Sequence, residues 1–335
     1  MRKIINNPSN FVDEMMEGII LAYGDKVKLL NGDRRILLAN VPAKEGKVGV
    51  VTAGGSGHLP VFLGYVGQGM LDGCAVGNVF ASPSAQKMAD MIKACDHGGG
   101  VLCLYGNYGG DILNFDMACE LVEFDDIKTK TVRVRDDVAS SPKEAAEKRR
   151  GVAGMVYAFK IVGAAAERMM NIEEVASVAE KVLANLRTMG VALSPCVVPE
   201  VGKPTFSIKE DEIEIGMGIH GEPGIEVRKM MAADDIAEEM LKRILEDMPL
   251  PSGSEVSVMV NGLGATPLEE QIIVYRKIHM LLAEKGISVY MPHIGEFATS
   301  MEMAGLSVTL LKLDEQLKEL LRSPAMTPFY TNANK

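Results

Sequence analysis

Apolar positions in this chain recur at two spacings, and the switches between them predict most of the secondary structure. Phe11, Met15, Met16, Ile19, Ile20 and Tyr23 follow the spacing of an amphipathic helix, with Ser9 placed to cap it and Gly24 to close it. Lys47 to Ala53, rich in valine, reads as a buried strand running straight into Gly54-Gly55-Ser56-Gly57-His58. A second apolar stretch, Cys74 to Phe80, precedes Ser84, which can cap a helix over Ala85 to Cys95. Val101 to Tyr105 predicts a third strand, followed by Gly106-Asn107-Tyr108-Gly109-Gly110-Asp111 and a helix over Ile112 to Val122, and Thr131 to Val134 predicts a fourth strand. Strands alternating with helices predict a parallel sheet, in which ligands gather at the carboxyl ends of the strands. Both glycine-rich loops fall there.

Two long helices are expected next, Arg149 to Met170 and Ile172 to Met189, with Gly190 as a C-cap. Pro195 and Pro199 then punctuate the chain. Beyond them, strands are expected over Glu212 to Ile219, Glu255 to Val260, Ser288 to Met291 and Ser307 to Lys312, and helices over Ala233 to Glu246, Pro267 to Lys285 and Glu315 to Leu321. A length of 335 residues suggests two domains at about 150 residues each. The expected architecture is two α/β domains, residues 1–190 with a largely parallel sheet and residues 191–335 with a mixed one.

Composition narrows the functional classes. A hydrophobic content of 47% with 24% charged residues describes a well-buried chain rather than a disordered one. The net charge of -10 would repel phosphates and anionic headgroups, which argues against nucleic-acid and membrane-surface roles. The five cysteines form no C-x-x-C pair, which suggests reduced, buried thiols rather than a zinc knuckle or a disulfide framework. Arg2-Lys3 and Ile4-Ile5 run at once into Asn6-Asn7-Pro8-Ser9-Asn10, which interrupts any signal-peptide core. The longest apolar run, Val152 to Ala166, contains Lys160 and is shorter than the ~20 residues of a membrane span. A cytoplasmic location is expected.

Three stretches carry candidate chemistry. At strand spacing, Ile213, Ile215, Met217 and Ile219 share one face, and Gly216, Gly218 and His220 share the other, before a turn over Gly221 to Gly224. The imidazole thus has bare backbone beside it, which suits either a bound molecule or a core histidine at a tight bend. Gly54-Gly55-Ser56-Gly57-His58 resembles a phosphate cradle, and equally a strand-to-helix turn. It is neither of the common nucleotide-binding glycine motifs, and neither motif occurs elsewhere in the chain. Asp111 sits where an N-cap is expected, and a carboxylate beside so many glycines could also serve as a general base. Thr266, Pro267 and Glu269 read as a capping box. His97, His279 and His293 lack ligand spacing, so no metal site is expected. The 22 methionines fall mainly on helical apolar faces.

Taken in order, Gly54-Gly-Ser-Gly-His58, Asn107-Tyr-Gly-Gly-Asp111 with Leu113-Asn114-Phe115, Gly218-Ile-His-Gly-Glu-Pro-Gly224 and Asn261-Gly-Leu-Gly-Ala-Thr-Pro267 resemble the substrate-binding K subunit of the dihydroxyacetone kinases. The resemblance extends through Gly202-Lys203-Pro204 and Thr309-Leu-Leu-Lys312. It implies that His220 attacks the carbonyl of a small ketose and holds it as a hemiaminal. It further implies that His58 hydrogen-bonds the resulting hydroxyl and that Asp111 accepts the proton of the alcohol to be phosphorylated. Gly55, Ser56, Gly57 and Gly106 would shape the pocket. The chain itself would bind no cofactor: ATP or ADP with Mg would sit on a separate L subunit, with a phosphotransferase-system carrier as a further partner and the K subunit a homodimer.

Two positions depart from the family's pattern. Gly106 stands where the family commonly has Lys, and Leu59 where it commonly has Glu after the first histidine. The expected consequence is a pocket that is roomier or differently polar, suited to a tetrulose better than to dihydroxyacetone. The competing expectation is a ketose-sensing coactivator of a transcription regulator, since some members of the family keep the histidine without acting as kinase subunits.

Overall fold

A computed structural model describes residues 3–333; Arg2, which opens the N-terminal stretch read above, lies outside them. The chain divides into two compact units. The first comprises the chain up to Val134, Met155–Val182 and the segment from Leu317 on, and the second Arg135–Gly154 and Leu183–Gln316.

The first unit is built on a six-stranded sheet of β1 (Val27–Leu30), β2 (Asp33–Ala39), β3 (Gly49–Ser56), β4 (Gly73–Val79), β5 (Val101–Gly106) and β6 (Thr129–Val134), in the order β1-β2-β4-β3-β5-β6. β4, β3, β5 and β6 are mutually parallel, and the antiparallel hairpin β1-β2 extends the β4 edge. Helix α1 (Phe11–Tyr23) begins after a short 3-10 turn capped by Asn7, whose side chain accepts from the Ser9 N–H, so Ser9 is not the cap. Helix α2 (Ala85–Cys95) is capped by Ser84 as its sequence predicts. With α3 (Gly109–Glu123) it covers a core of Met88, Ile92, Phe115 and Val122 against Val51, Cys103 and Tyr105. Helix α4 (Met155–Glu167) is buried along nearly its whole length, and Met70 backbone lies so close to Gly163 that a Cβ there would meet it at 2.3 Å. Helix α5 (Ile172–Ala184) ends before Asn185.

The two long helices expected here are therefore shorter. Leu186 to Met189 is strand, because β7 (Leu186–Ser194) is an interior strand of the second sheet and Gly190 lies within it rather than capping a helix. A domain boundary after Gly190 would cut this strand. Tertiary pairing overrides the helical spacing of Leu183, Leu186 and Met189.

The second unit holds β7, β8 (Glu212–Ile215), β9 (Glu226–Lys229), β10 (Glu255–Gly262), β11 (Ser288–Val289), β12 (His293–Gly295) and β13 (Ala304–Leu313), with helices α6 (Ala233–Asp247) and α7 (Leu268–Glu284). The order is β11-β10-β13-β7-β8-β9, with β12 also pairing β10. β11 and β12 run parallel to β10 and the remaining pairs are antiparallel, so this sheet is mixed. Ile236, Met240 and Ile244 of α6 and Val274, Ile278 and Leu282 of α7 pack with Val256, Val258 and Val308. The segment 135–154 is held to this unit by polar anchors. Asp136 accepts from the Thr188 hydroxyl at 2.5 Å, and Arg149 and Lys143 both reach Asp247. The capping box over Thr266 to Glu269 does not form: Pro267 is the cap residue, and the Thr266 hydroxyl instead donates to the Gly305 carbonyl and accepts from its N–H.

From Gln316 the chain returns to the first unit through α8 (Glu315–Arg322) and a ribbon of β14 (Ala325–Met326) and β15 (Thr331–Asn332), fixed where Thr327 Oγ1 donates to the Gly64 carbonyl at 2.7 Å. All five cysteines are free thiols, four of them buried. Among the described residues no helix is long and apolar enough to cross a membrane.

Candidate active site

In the first unit, the carboxyl ends of β4, β3 and β5 lie side by side and carry the predicted residues. β3 continues through Gly54 and Gly55 to Ser56, further than expected, with an irregular register against β4 between Gly54 and Ser56. The glycines here are a packing requirement. A Cβ on Gly55 would stand 2.6 Å from the Ala81 nitrogen, and one on Gly54 2.4 Å from the Phe62 ring. Ser56 Oγ donates to the Gly77 carbonyl at 2.7 Å, and Gly57 takes a φ of +100° to turn the chain toward His58. Close packing, of Gly55 on the Phe80–Ala81 backbone and of Gly54 on the Phe62 ring, requires glycine at both positions.

His58 is buried, 1% exposed, stacked on Phe80 at 4.8 Å and edge-on to Phe62 at 6.2 Å. Asp111 is 7% exposed and lies in the first turn of α3, whose cap is Tyr108, so it is not the N-cap. Its carboxylate accepts from Ser82 Oγ. An acid in the first helical turn is favoured by the exposed N–H groups there. Gly106 closes β5, and a Cβ there would meet the Tyr108 ring at 3.1 Å and Met155 Sδ at 3.2 Å. The ground around Gly106 is thus already filled by an aromatic ring and a thioether.

Sequence reasoning missed the segment Phe80 to Ser84, which ties the three strand ends together. Phe80 stacks on His58, Ser82 holds Asp111, the Pro83 carbonyl accepts from Asn114 at 2.8 Å, and Ser84 caps α2. Ser82 and Ser84 flank Pro83 in the sequence, but that Ser82 pairs with Asp111, 29 residues away, was not visible there.

His220 belongs to the second unit. The strand expected over Glu212 to Ile219 ends at Ile215, because Gly216 takes a φ of +86°. Ile213, Ile215, Met217 and Ile219 are nonetheless all buried. His220 stands in a tight turn in which the Gly221 N–H donates to the Gly218 carbonyl at 3.0 Å, with Gly221 at a φ of +82°. The ring is 25% exposed and its Nδ1 lies 2.9 Å from Glu222 Oε1, while the His220 backbone N–H donates to Glu222 Oε2 at 2.9 Å. Burial opposes ionisation of Glu222, but the hydrogen bonds and charge of His220 outweigh it and pull the carboxyl down to about 2. Arg150 Nη1 lies 3.8 Å from Glu222 Oε2, while Arg150 Nη2 is anchored by Asp137 at 2.8 Å and donates to the Gly216 carbonyl at 3.2 Å. A Cβ on Gly218 would sit 2.2 Å from Glu222 Oε2 and 2.4 Å from Arg150 Nη1. The bare backbone beside His220 therefore makes room for a carboxylate and a guanidinium. Glu222 is the second residue missed from sequence.

A cavity of about 330 Å³ elsewhere in the first unit, lined by Lys28, Lys44, Lys47, Asp72, His97 and Glu167, contains none of these residues. Its buried Lys47 is spoken for by Asp72 at 2.5 Å and Glu167 at 3.3 Å.

These features define an α/β protein with a carboxylate-partnered histidine in one unit and, in the other, a buried acid and histidine at parallel strand ends. Residues 17–329 match the Dak1 domain family, and the chain belongs to it. It is 46% identical, over 98% of its length and 99% of the relative, to the dihydroxyacetone-binding subunit of PTS-dependent dihydroxyacetone kinase 1 of Listeria innocua serovar 6a. It is 42% identical, over 98% of its length and 56% of the relative, to the L-erythrulose kinase of Pectobacterium atrosepticum. Among solved structures it is similar to the dihydroxyacetone kinase operon co-activator Dha-DhaQ, with a TM-score of 0.89 and 31% identity, covering 95% of this chain and 98% of that one.

Proposed function

We propose that this chain is the ketose-binding subunit of a dihydroxyacetone-kinase-type enzyme. The observation that carries the reading is that a chain of this family has all three of His220, His58 and Asp111 in its sequence. His220 captures the ketone carbonyl, His58 hydrogen-bonds the hydroxyl so formed, and Asp111 accepts the proton of the terminal alcohol as it attacks the phosphoryl donor. Covalent capture suits a small, flexible substrate that offers little surface for binding. The donor is ATP, or ADP recharged through a phosphotransferase-system carrier, held with Mg on a separate L subunit, and the K subunit acts as a homodimer. Relatives named for dihydroxyacetone and for erythrulose both stand close to this chain. Gly106 and Leu59, the two departures from the family's common pattern, are the basis for proposing a tetrulose. The test is phosphorylation of dihydroxyacetone and of both erythrulose enantiomers by the purified chain with its L subunit; a clear preference for dihydroxyacetone defeats the tetrulose assignment.

A second reading, a ketose-sensing coactivator, is favoured by the similarity to Dha-DhaQ. Burial of Asp111 against Ser82 supports the enzyme, because a sensor needs no base. A neighbouring gene for an L subunit supports the kinase, and one for a TetR-like regulator the sensor. Failure to phosphorylate any ketose with the L subunit present, with the His220 adduct intact, decides for the sensor.

A further inference from the structure

We propose that Glu222 is the positioning residue of His220, holding the proton on Nδ1 so that Nε2 presents its lone pair to the ketone. The inference rests on the reading of His220 as the covalent anchor. Its ground is that Glu222 is held by two contacts from a single residue: the His220 ring at 2.9 Å on one carboxylate oxygen and the His220 backbone N–H at 2.9 Å on the other. A carboxylate can only accept at Nδ1, so Nδ1 holds a proton, and in the ring's neutral form the lone pair falls on Nε2. The tight turn with Gly221 at positive φ and the missing side chain of Gly218 exist, in packing terms, to bring this carboxylate back onto the ring. Arg150, itself fixed by Asp137, faces the far carboxylate oxygen and keeps Glu222 aimed.

The charge at the adduct gives the pair a second role. As Nε2 donates its lone pair to the carbonyl carbon, the C=O π pair moves to oxygen, which takes a proton from a solvent water whose hydroxide passes to the bulk. The ring, now bonded through Nε2 and still protonated on Nδ1, carries one positive charge. That charge develops 2.9 Å from the Glu222 carboxylate, a fixed partner that needs no reorganisation when the bond forms.

The test uses the full chain with histidine labelled in 15N, the His220 signals being identified by their loss in His220→Ala. In the wild type, two-bond 1H–15N spectra at a pH where the ring is neutral should show Nδ1 protonated. Glu222→Ala should lose this preference, and Glu222→Gln, which keeps the shape but can offer an amide N–H to Nδ1, should move the proton to Nε2. Hemiaminal formation, followed with ketose labelled in 13C at the carbonyl, should slow at least tenfold in Glu222→Ala and more in Glu222→Gln. An unchanged tautomer in both variants overturns the proposal, as does an unchanged adduct rate. If His220→Ala forms the adduct like the wild type, the covalent reading itself falls, while the tautomer spectra still decide whether Glu222 sets the ring's proton.

Discussion

Ser82 donates its hydroxyl to the carboxylate of Asp111, joining the loop after β4 to the first turn of α3. A hydrogen bond to a charged group contributes about 1.5–3 kcal/mol, and under the proposed function this one fixes the base. Ser82→Ala is therefore expected to lower turnover roughly tenfold with the ketose adduct still formed, because the variant leaves His220 untouched. Asp111→Asn is expected to lower turnover by about 10²-fold or more, again without loss of the adduct. Steady-state phosphorylation beside 13C detection of the adduct separates the two steps; loss of the adduct in either variant would refute the division of labour.

Restoring the family's residues tests specificity. Gly106→Lys with Leu59→Glu is expected to shift the ratio of kcat/KM toward dihydroxyacetone and away from erythrulose. The Lys must displace the Tyr108 ring and Met155 sulfur, 3.1 and 3.2 Å from the site of its Cβ, so a stability loss of about 1–3 kcal/mol accompanies it. A ratio that stays unchanged in a folded double variant would show that these positions do not set the ketose.

What the sequence could and could not reveal follows from the range of each interaction. The α2 boundaries and its Ser84 cap were legible because a cap acts within one turn. The parallel β3, β4 and β5 with their glycine-rich ends were legible from runs of buried residues. The hairpin β1-β2 was not, since Asp33, Arg34 and Arg35 begin a strand with polar residues and no alternation. The start of β7, Leu186 to Met189, reads as the end of a helix because its role as an interior strand depends on pairing with residues of β13 and β8 more than 20 positions away. At the site, His58, Asp111 and His220 stood out by chemistry. Ser82 did not, because its partner is remote, and Glu222, though only two residues from His220, needs the turn geometry before its orientation is known.

Asp247 ends α6, where a carboxylate faces the unpaired carbonyls of the last helical turn and is disfavoured. Two guanidinium groups offset this, Arg149 at 3.0 Å and Arg187, with Arg149 only 2% exposed. Burial alone would raise the Asp247 carboxyl, but the hydrogen bonds from Arg149 and Arg187 prevail and hold it below the usual range. Removing one partner of a buried pair leaves the other uncompensated, so Asp247→Asn is expected to lower stability by about 3–5 kcal/mol. The lowered carboxyl contributes stability that is present above its unfolded value of 3.8 and lost as pH falls below it. Urea unfolding at pH 7 and at pH 3, below the unfolded value of 3.8, checks both: the wild type should lose stability on acidification, and the variant should lose less. Equal midpoints for the two proteins at pH 7 would refute the pairing as a stabilising element.

Lys160 lies within the buried helix α4, 1% exposed, and its Nζ donates to the Leu320 carbonyl at 3.0 Å. Burial, reinforced by the charge of Arg168, lowers its ammonium from 10.5 to about 7. The unfolded chain keeps this proton up to pH 10.5 and the folded chain releases it near 7. Between those values the unfolded state binds more protons, so stability rises with pH, by at most about 1.4 kcal/mol per unit. Below pH 7 the full cost of burying the cation is felt. Lys160→Met removes that cost while keeping the volume, and a buried charge replaced by a well-packed apolar residue is often stabilising by about 1–4 kcal/mol. The variant is therefore expected to unfold at higher urea than the wild type at pH 6.5, with the gap closing by pH 9.5. A gap that is constant across this range, or a variant less stable at pH 6.5, would mean that the bond to Leu320 outweighs the cost of burying the charge.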